Sequence, residues 1–554
     1  MVSFNPPTNT KFIFITGGVL SGLGKGIVSA SVGRLIKSTG LSIIFIKCDG
    51  YLNIDPGTMR PTEHGEVFVQ EDGGEVDMDF GHYERFLDIN TKSSWNLTMG
   101  KIFNQILTNE RKGKYLGQTV QLIPQTTNEI KNKIYKLSEK ANIAVIEIGG
   151  TVGDIEIMLF LEAIRQIKNE YGSKNCLFMH LSFVPVLNGE HKTKPTQHSV
   201  RELLKAGIQP DIIICRTSEA VARRAKEKIA YFCNVLFENI IDDPDAETVY
   251  EVPLVFKSQG LDKIIKNNLD LKNTLEDITQ IKQASITNNK SSNLSWAELI
   301  KNYKNPQQEI TIAICGKYTS LHDSYISILE ALNHCRAHLS VKINLKWIDT
   351  SNLNQQLTES LKEVNGVIVP GGFGTRGVEG KIIVIKYARE NNLPFLGLCY
   401  GMQLAIVEFG RNVCGLNNAN STEIDAQTEH PVIDILQDQK EITEKGGTMR
   451  LGKFPAVLKE GTKVYEIYGQ EQISERHRHR YEVNPKYLKL LEEKGIIFSG
   501  VSSDKKLVEF IELQNHPFFI GTQAHPEFKS RFENPAPLFV EFIKSCIKIK
   551  KEKA

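Results

Sequence analysis

Two groups of residues at opposite ends of the chain have residue types and spacings that are typical of reactive sites. Near the N-terminus, the run Gly17-Gly18-Val19-Leu20-Ser21-Gly22-Leu23-Gly24-Lys25-Gly26 follows an apolar stretch and is typical of a phosphate-binding loop. Near the C-terminus, Cys399 follows another apolar stretch, and His525-Pro526-Glu527 comes much later. A thiol, an imidazole and a carboxylate are the parts of an activated nucleophile. Together the two groups indicate that phosphate chemistry and amide cleavage occur in one polypeptide.

The glycine-rich loop can bind phosphate through its backbone. Amide N–H groups at a helix N-terminus point at phosphate oxygens, and Lys25 would lie on the terminal phosphates. The spacing departs from the strict GxxxxGK[ST] pattern, because Gly18 comes one residue too early and Gly26 replaces the hydroxyl residue that binds metal. A tight structural turn is therefore the alternative interpretation of this loop.

Polar residues follow several apolar stretches of the first half. Because ligands bind at the carboxyl ends of parallel strands, Asp79 and Glu147 could hold Mg²⁺ against phosphates. The alternative is that each acid caps a helix or pairs with a lysine. Lys192 and Lys194 are spaced so that they could straddle a second polyphosphate, with a solvated loop as the alternative.

The surroundings of Cys399 resemble a nucleophile elbow, in which a sharp turn from strand to helix exposes the reactive atom. His525 would act as base and acid, and Glu527 would hold its tautomer. The loop Pro370-Gly371-Gly372-Phe373-Gly374 could offer backbone N–H groups to the tetrahedral oxyanion. A lone cysteine is more often a small buried apolar residue. The three features together favour a nucleophile.

The elements that must position these residues form two α/β units in series. Near-continuous apolar strands alternate with amphipathic segments up to about residue 269, which predicts a doubly wound parallel sheet covered on both faces. A second alternating unit begins at about residue 310. The expected domains are 1–272 and 309–554, joined by a polar linker at 273–308 in which Trp296–Ile300 is predicted to form a short docked helix.

Composition excludes several classes of function. The formal net charge of +2 over 554 residues argues against a nucleic-acid-binding or anionic membrane surface. No apolar run approaches the roughly 20 residues that span a bilayer, and no signal peptide is recognisable. The nine cysteines show no Cys-x-x-Cys spacing. We therefore expect neither a zinc site nor disulfides, and a cytoplasmic location.

Several longer sequence segments are similar to those of a known family. The chain resembles the CTP synthase family, glutamine-dependent UTP amidoligases, from about residue 11 to 547. The resemblance rests on the glycine-rich loop and on the segments 53–59, 81–86, 149–156, 192–198 and 476–484. It implies a P-loop-like amidoligase domain, a class I glutamine amidotransferase domain, and the last step of de novo CTP synthesis in pyrimidine biosynthesis.

The resemblance also implies roles for matching residues of the first domain. It assigns ATP to Ser21, Gly22, Leu23, Gly24, Lys25, Gly26, Lys47 and Asp79, with Lys25 and Lys47 acting on the γ-phosphoryl group. It assigns Mg²⁺ to Asp79 and Glu147. It assigns UTP or the inhibitor CTP to Ser21, Asp154, Ile155, Glu156, Lys192, Lys194, Gln197 and Lys228.

For the second domain, the resemblance assigns the substrate glutamine to Gly372, Gln403, Glu423 and Arg480. It assigns the ammonia gate to His64 and Val67. It assigns the allosteric activator GTP to Arg376 and Gly377 with a lid at 447–452. The family also implies a homotetramer, while the sequence leaves assembly into filaments open.

The departures from the family pattern are few. Gly22 stands where serine is common, Cys48 and Gly50 flank Asp49 where other residues are common, and Ala524 replaces an aromatic residue. We expect Gly22 to loosen the phosphate loop slightly. The alternative functions are another amidoligase with the same two domains, and a partitioning-type ATPase or filament scaffold, which would not need the Cys399–His525–Glu527 set.

Overall fold

The computed structural model describes residues 9–60, 65–271, 294–317, 321–351, 356–435 and 449–553. The chain divides into two compact units. The first comprises the described residues of Met1–Asp55, His82–Ile281 and Ser295–Ile300, and the second those of Pro56–Gly81, Lys282–Leu294 and Lys301–Ala554. The described residues of the range 56–81 therefore belong to the second unit although they lie early in the sequence. The predicted boundaries at 272 and 308 stay predictions, and residues 272–293 lie outside the described residues.

The first half of the chain contains a parallel sheet. Its strands, with short hairpins included, are β1 (Lys11–Gly17), β2 (Ile43–Asp49), β3 (Phe68–Val69), β4 (Glu75–Val76), β5 (Asn96–Thr98), β6 (Ile143–Ile148), β7 (Cys176–Phe183), β8 (Val186–Leu187), β9 (Glu190–His191), β10 (Ile212–Arg216) and β11 (Ile240–Asp243). Seven of them form one sheet in the order β11-β10-β7-β1-β6-β2-β5, with every pairing parallel. Strands β1 and β6 are buried along almost their whole length, which explains their near-continuous apolar sequence.

Helices join these strands. They are α1 (Lys25–Lys37), α2 (Asp79–Leu87), α3 (Met99–Arg111), α4 (Thr127–Ser138), α5 (Met158–Tyr171), α6 (Lys194–Lys205), α7 (Arg223–Cys233), α8 (Val252–Ser258) and α9 (Leu261–Asn268). Alternate residues of β1 point to opposite faces of the sheet and are buried on both, as Phe12 and Ile13 illustrate. The predicted doubly wound parallel sheet is confirmed.

The second half of the chain is built on a mixed sheet. Its strands are β12 (Gln308–Gly316), β13 (Val341–Asp349), β14 (Gly366–Val369), β15 (Phe395–Leu398), β16 (Asn420–Ser421), β17 (Pro431–Ile435), β18 (Arg450–Leu458), β19 (Gln472–His479), β20 (Tyr481–Val483), β21 (Ile496–Ser502), β22 (Val508–Leu513) and β23 (Phe519–Thr522). Nine of them form a sheet in the order β13-β12-β14-β15-β23-β22-β21-β18-β19. The first five are parallel and the last four form an antiparallel extension, which the sequence analysis did not predict.

The helices from residue 294 onward are α10 (Trp296–Lys304), α11 (Ile326–Leu339), α12 (Gln356–Glu359), α13 (Val378–Glu390), α14 (Tyr400–Asn412), α15 (Lys463–Tyr468), α16 (Leu488–Glu493) and α17 (Pro537–Lys553). Helix α10 contains the short helix predicted at Trp296. The Trp296 ring is fully buried, and its Nε1 donates to the carbonyl oxygen of Tyr250 at 2.8 Å. Among the described helices, none has the length and apolar character needed to cross a bilayer.

Candidate functional site

The phosphate loop lies between β1 and α1, as the sequence predicts. Val19, Gly22 and Gly24 have φ values of 77°, 72° and 98°, so the chain turns through left-handed conformations before α1 begins at Lys25. The Lys25 Nζ atom donates to the carbonyl oxygen of Gly150 at 2.8 Å, in the loop after β6. The loop, its lysine and the predicted 149–156 segment are therefore neighbours.

Gly18 tolerates no side chain because of a hydrogen-bonded group behind the loop. A Cβ atom on Gly18 would lie 1.6 Å from the Ser199 Oγ atom. That hydroxyl lies 2.8 Å from His180 Nε2, and His180 Nδ1 lies 2.9 Å from Thr16 Oγ1. Burial lowers the pKa of His180 to about 3, with a further contribution from Lys25, so this imidazole is neutral. His180 was not predicted as a site residue, and its contact with Ser199 forms only through the fold.

A lysine lies between two carboxylates near the carboxyl ends of the central strands β2 and β6. Lys47 Nζ lies 3.5 Å from Asp49 Oδ1 and 3.6 Å from Glu147 Oε1, and all three side chains are buried. Glu147 Oε2 accepts from Ser29 Oγ at 2.8 Å and from Tyr83 at 2.6 Å. Glu147 Oε1 is buried without a hydrogen-bond partner. A carboxylate oxygen in this state suits a hard cation.

The second predicted metal ligand, Asp79, is the first residue of α2. Its backbone N–H donates to Asp77 Oδ1 at 2.9 Å. Asp79 belongs to the second unit and Glu147 to the first. Within the described ranges, no group of three or more His, Cys, Asp or Glu side chains is arranged to hold a metal ion by itself.

The residues predicted for UTP surround the end of β9. Lys192 Nζ lies 2.6 Å from Glu190 Oε2. The hydrogen bond from Lys192, with the charges of Lys192 and Lys228, lowers the pKa of Glu190. Lys194 Nζ lies 5.7 Å from the centre of the Phe232 ring. The structure thus brings Lys192 and Lys228 to the Glu190 carboxylate, whereas Lys194 lies beside Phe232.

Gln197 and the loop after β6 supply the other residues predicted for UTP and CTP. Gln197 is buried, its Nε2 donates to Thr193 Oγ1 at 3.0 Å, and its Oε1 has no hydrogen-bond partner. Asp154, Ile155 and Glu156 are exposed, and the Ile155 side chain is 82% accessible. Asp154 Oδ2 accepts from the Thr151 N–H at 3.2 Å, which holds the loop in a turn.

Cys399 occupies the sharp turn between β15 and α14. Its backbone has φ 48° and ψ −98°, a sparsely populated conformation for a residue with a side chain, and its N–H donates to Thr522 O at 2.7 Å. Helix α14 lies close to the sheet, because a Cβ atom on Gly401 would come 2.1 Å from Val369 O. The predicted nucleophile elbow is present in the geometry.

His525 and Glu527 form a buried pair beside this cysteine. His525 Nδ1 lies 2.7 Å from Glu527 Oε1. Burial by itself lowers the pKa of His525, but the Glu527 carboxylate and the hydrogen-bonded Cys399 outweigh burial and raise it to about 10. Phe528 stacks on the imidazole with ring centres 5.1 Å apart. The imidazole is therefore oriented by its neighbours and protonated at neutral pH.

Two further groups face the Cys399 sulfur. The Gln523 Nε2 atom lies 3.5 Å from Sγ, and the carbonyl oxygen of Arg478 lies 3.8 Å from it. The Gln523 Oε1 atom accepts from Gln403 Nε2 at 3.3 Å. Gln523 was missed by sequence analysis, although its place between β23 and His525 is a usable signal.

The predicted oxyanion loop lies against the catalytic pair. A Cβ atom on Gly371 would come 2.8 Å from His525 Cε1, and one on Gly372 would come 3.7 Å from Tyr400 Cδ1. Gly374 closes the loop: its N–H donates to Glu423 Oε1 at 2.8 Å, and its carbonyl accepts from the Tyr400 hydroxyl at 2.7 Å. The loop therefore lies next to both His525 and the Tyr400 side chain.

A buried lysine supports this loop from helix α13. Lys381 is 1% exposed, its Nζ would lie 3.5 Å from a Cβ atom on Gly372, and it lies 5.0 Å from the centre of the Tyr400 ring. Burial, and then the charge of Lys317, lower the pKa of Lys381 to about 7. Sequence analysis missed this residue because a lysine in an amphipathic helix is typically exposed.

The residues predicted to hold glutamine meet around Tyr481. Gln403 Nε2 donates to Tyr481 O at 2.9 Å. Burial and the charge of Glu423 raise the pKa of Tyr481, and Arg480 opposes them. Burial also raises the pKa of Glu423 against the Gly374 hydrogen bond. The structure thus brings Gln403, Glu423 and Arg480 into the neighbourhood of Tyr481.

Two cations lie beside the oxyanion loop at the predicted effector site. Arg376 Nη2 donates to Lys317 O at 2.7 Å, and Lys317 Nζ lies 4.5 Å from the centre of the half-exposed Phe373 ring. Burial and the charge of Arg376 lower the pKa of Lys317. Gly377 is the N-cap residue directly before α13 and has a left-handed conformation, with φ 80°. Lys317 was not predicted.

The remaining predictions concern the lid and the gate. Residues 447 and 448 lie outside the described residues, whereas Arg450–Gly452 begin β18. Arg450 is held there by ion pairs with Glu482 at 3.1 Å and Glu509 at 2.6 Å. Val67 is buried, and His64 lies outside the described residues.

The fold and the two sites define a class: a P-loop-like α/β unit joined to a class I glutamine amidotransferase unit. The family model described as CTP synthase N-terminus matches residues 11–271, and that described as glutamine amidotransferase class-I matches residues 320–545. The chain belongs to the CTP synthase family, and its activity is the glutamine-dependent amination of UTP to CTP.

Two relatives are similar in sequence to this chain over nearly its whole length. A CTP synthase of Caldanaerobacter subterraneus is 52% identical over 98% of this chain and 99% of its own length. One of Methanococcus maripaludis is 53% identical over 97% and 99%. The solved glutaminase domain of Trypanosoma brucei CTPS with bound acivicin is 35% identical, covers 43% of this chain and 94% of its own, and has a TM-score of 0.41.

Proposed function

We propose that Cys399 attacks the side-chain amide of glutamine while His525 donates a proton to the departing ammonia. The products are ammonia and a glutamyl thioester, which water then hydrolyses to glutamate with His525 acting as base. The oxyanion would lie between the Gly372 and Tyr400 amides. The observation that carries this proposal is the buried His525–Glu527 contact beside Cys399.

Glutamine would be oriented by polar groups on one side of the thiol. Arg480 would bind the substrate carboxylate, and Glu423 would bind its ammonium group. Gln403 lies between Tyr481 and Gln523 and would hold the side chain in line with Sγ. Burial of Glu423 supports this assignment, because a bound ammonium would compensate the cost of a buried carboxylate.

In the other unit, ATP would phosphorylate O4 of UTP, and ammonia would then displace phosphate at C4. Lys25 and Lys47 would stabilise the γ-phosphoryl group in transfer, since this chemistry consists mainly of positioning and charge neutralisation. Residues 21–26 would hold the ATP phosphates. UTP would bind Lys192, Lys194, Gln197 and Lys228, and product CTP would inhibit by sharing the triphosphate site next to Asp154, Ile155 and Glu156.

Mg²⁺ is the metal that we propose to accompany ATP. The buried Glu147 Oε1 atom without a hydrogen-bond partner supports Glu147 as a ligand, and Asp79 rests on the family resemblance. The ion would neutralise charge on the phosphates of ATP. Lys47 Nζ lies 3.6 Å from the same Glu147 oxygen and 3.5 Å from Asp49, so the ammonium group would share Glu147 with the ion.

Regulation and assembly are proposed from the family. GTP would activate at the Lys317–Arg376 pair, where two cations and the Phe373 ring offer contacts to a phosphate and a base. His64 and Val67 would admit ammonia. A homotetramer, with the possibility of filaments, and a cytoplasmic location complete the proposal. All nine cysteines are free thiols, which agrees with a reducing compartment.

The testing experiment is Cys399→Ala, assayed with glutamine and separately with ammonium salts. We expect glutamine-dependent CTP formation to be lost while ammonia-dependent formation is retained. The matched control is Cys414→Ala, which removes the half-buried thiol of a residue outside the site and leaves both activities unchanged. Loss of both activities in the Cys399 variant alone would contradict the proposal.

A further inference from the structure

Two arginines of strand β19 connect the catalytic pair to the early segment 65–78, which belongs to the same compact unit. Arg476 and Arg478 are two positions apart, so their side chains lie on one face of the strand. β19 is the last strand of the nine-stranded sheet, so one of its edges is not paired within that sheet. The backbone carbonyls of both arginines are directed at that edge.

The carbonyls hold the nucleophile and the base. The Arg476 carbonyl oxygen accepts from the His525 N–H at 2.8 Å. The Arg478 carbonyl oxygen lies 3.8 Å from the Cys399 sulfur. A displacement of this strand edge would therefore move both reacting groups at once, and misplacement of about 1 Å is costly for catalysis.

The side chains of the same two arginines hold segment 65–78. Arg476 is fully buried, donates to Val69 O at 3.0 Å, and lies over the Phe68 ring at 5.4 Å. Phe68 in turn packs edge-on against Phe528, with ring centres 5.3 Å apart, and Phe528 is the residue that stacks on His525.

Arg478 makes the charged contact. Its Nε atom donates to Glu75 Oε1 at 2.8 Å, and its Nη2 atom donates to Gly57 O at 3.3 Å. The Glu75 side chain is 1% exposed. A charge-assisted bond in such a site is stronger than an exposed ion pair and leaves a buried charge when one partner is removed.

We propose that Arg476 and Arg478 are positioning residues that make glutamine hydrolysis depend on the docking of segment 65–78, with Glu75 as the residue that fastens it. This inference rests on the proposed roles of Cys399 and His525. Asp79, the first residue of helix α2, directly follows the segment, so the segment that would position the thiol is continuous in sequence with a predicted metal ligand.

The test is Glu75→Gln in the full chain, which keeps the shape and removes the charge. We expect kcat for glutamine hydrolysis to fall about tenfold or more, with KM for glutamine within about twofold, because a positioned thiol acts in the transition state. Ammonia-dependent CTP formation should stay within about twofold of wild type. Glu75→Asp, which keeps the charge, should retain more activity than Glu75→Gln.

The matched control is Glu71→Gln on the same segment. Glu71 pairs with Lys453 at 3.6 Å but does not reach β19, so its variant should leave kcat unchanged. A second readout is alkylation of Cys399 by iodoacetamide, followed by peptide mass spectrometry, which should slow in Glu75→Gln only. Unchanged kcat in Glu75→Gln, or equal losses with ammonia and glutamine, would overturn the inference. If glutamine hydrolysis is lost in Cys399→Ala but kept in Glu75→Gln, the inference about Glu75 is wrong and the proposed function still holds.

Discussion

His525 Nδ1 and Glu527 Oε1 are 2.7 Å apart in a buried site, and this contact sets the protonation of the imidazole. Burial alone favours the neutral ring, but the Glu527 carboxylate and Cys399 raise the pKa of His525 to about 10. The ring therefore holds a proton across the physiological range. It can give that proton to a departing ammonia molecule.

Glu527→Gln should move the alkaline limit of glutamine hydrolysis. Without the carboxylate, burial dominates and the pKa of His525 falls from about 10 toward or below its ordinary 6.5. We expect the descending limb of kcat/KM, measured as glutamate release from pH 6 to 10.5, to shift to lower pH, with kcat at pH 8 reduced by roughly 10² or more. Ammonia-dependent CTP formation should not change. An unshifted alkaline limb would exclude this role of Glu527.

Lys381→Met should stabilise the protein in a pH-dependent way. The folded-state pKa of Lys381 is lowered from 10.5 to about 7, so between these values the unfolded chain binds the extra proton. The cost of burying this lysine is thus complete below about pH 7 and disappears as pH rises toward 10.5. The slope is at most about 1.4 kcal/mol per pH unit.

We expect Lys381→Met to unfold at a higher temperature than wild type at pH 7.5, with the advantage shrinking by pH 9.5. Lys386→Met, on the exposed side of the same helix, is the control and should show a difference that does not depend on pH. If the Lys381 difference were constant with pH, the lysine would be charged in the folded state.

The residues that sequence reasoning predicted and those that it missed differ in how far their partners lie along the chain. An apolar strand precedes Cys399, and Gly401 lies two residues after it, so the nucleophile elbow is visible as a local sequence pattern. Gln523 reaches the same sulfur only because Leu398 and Thr522 are paired across β15 and β23. No local pattern reports a contact between residues 124 positions apart.

The same difference between local and distant partners applies to the fold. Apolar strands buried on both faces, such as β1 and β6, were predicted from their composition. Residues 56–81 were assigned by their sequence position to the first domain, but Glu75 pairs with Arg478 and Val69 with Arg476, both about 400 residues away. Such pairing depends on tertiary packing, for which the segment itself carries no periodic signal.

Gln523→Leu should weaken glutamine hydrolysis without affecting the other unit. The variant removes a donor 3.5 Å from Cys399 Sγ and the acceptor of Gln403. A hydrogen bond contributes about 0.5–1.5 kcal/mol, so we expect kcat/KM for glutamine to fall by roughly two- to tenfold. Gln472→Leu, at an exposed position of β19, is the matched control. Equal kinetics in both variants would show that Gln523 only fills space.

Gly18→Ala should damage the phosphate loop and spare the thiol site. The new Cβ atom would lie 1.6 Å from Ser199 Oγ and 2.8 Å from Ser199 Cβ, so either the loop or α6 must shift. Overpacking of this kind costs about 1–3 kcal/mol. We expect ammonia-dependent CTP formation to fall by roughly 5- to 100-fold, and basal glutamine hydrolysis to stay within about twofold.

The rescue variant distinguishes a steric cause from a general loss of folding. Ser199→Gly removes the two nearest atoms that the Gly18→Ala side chain would meet and leaves His180 Cε1 at 3.2 Å, so the double variant should recover much of the ATP-dependent activity. Ser199→Gly alone also removes the hydroxyl that hydrogen-bonds to His180. The activity of this single variant is therefore the highest activity that the double variant can recover. A double variant no better than Gly18→Ala, measured by CTP formation over a range of ATP concentrations, would mean that Gly18 is required for its backbone flexibility and not for the space beside Ser199.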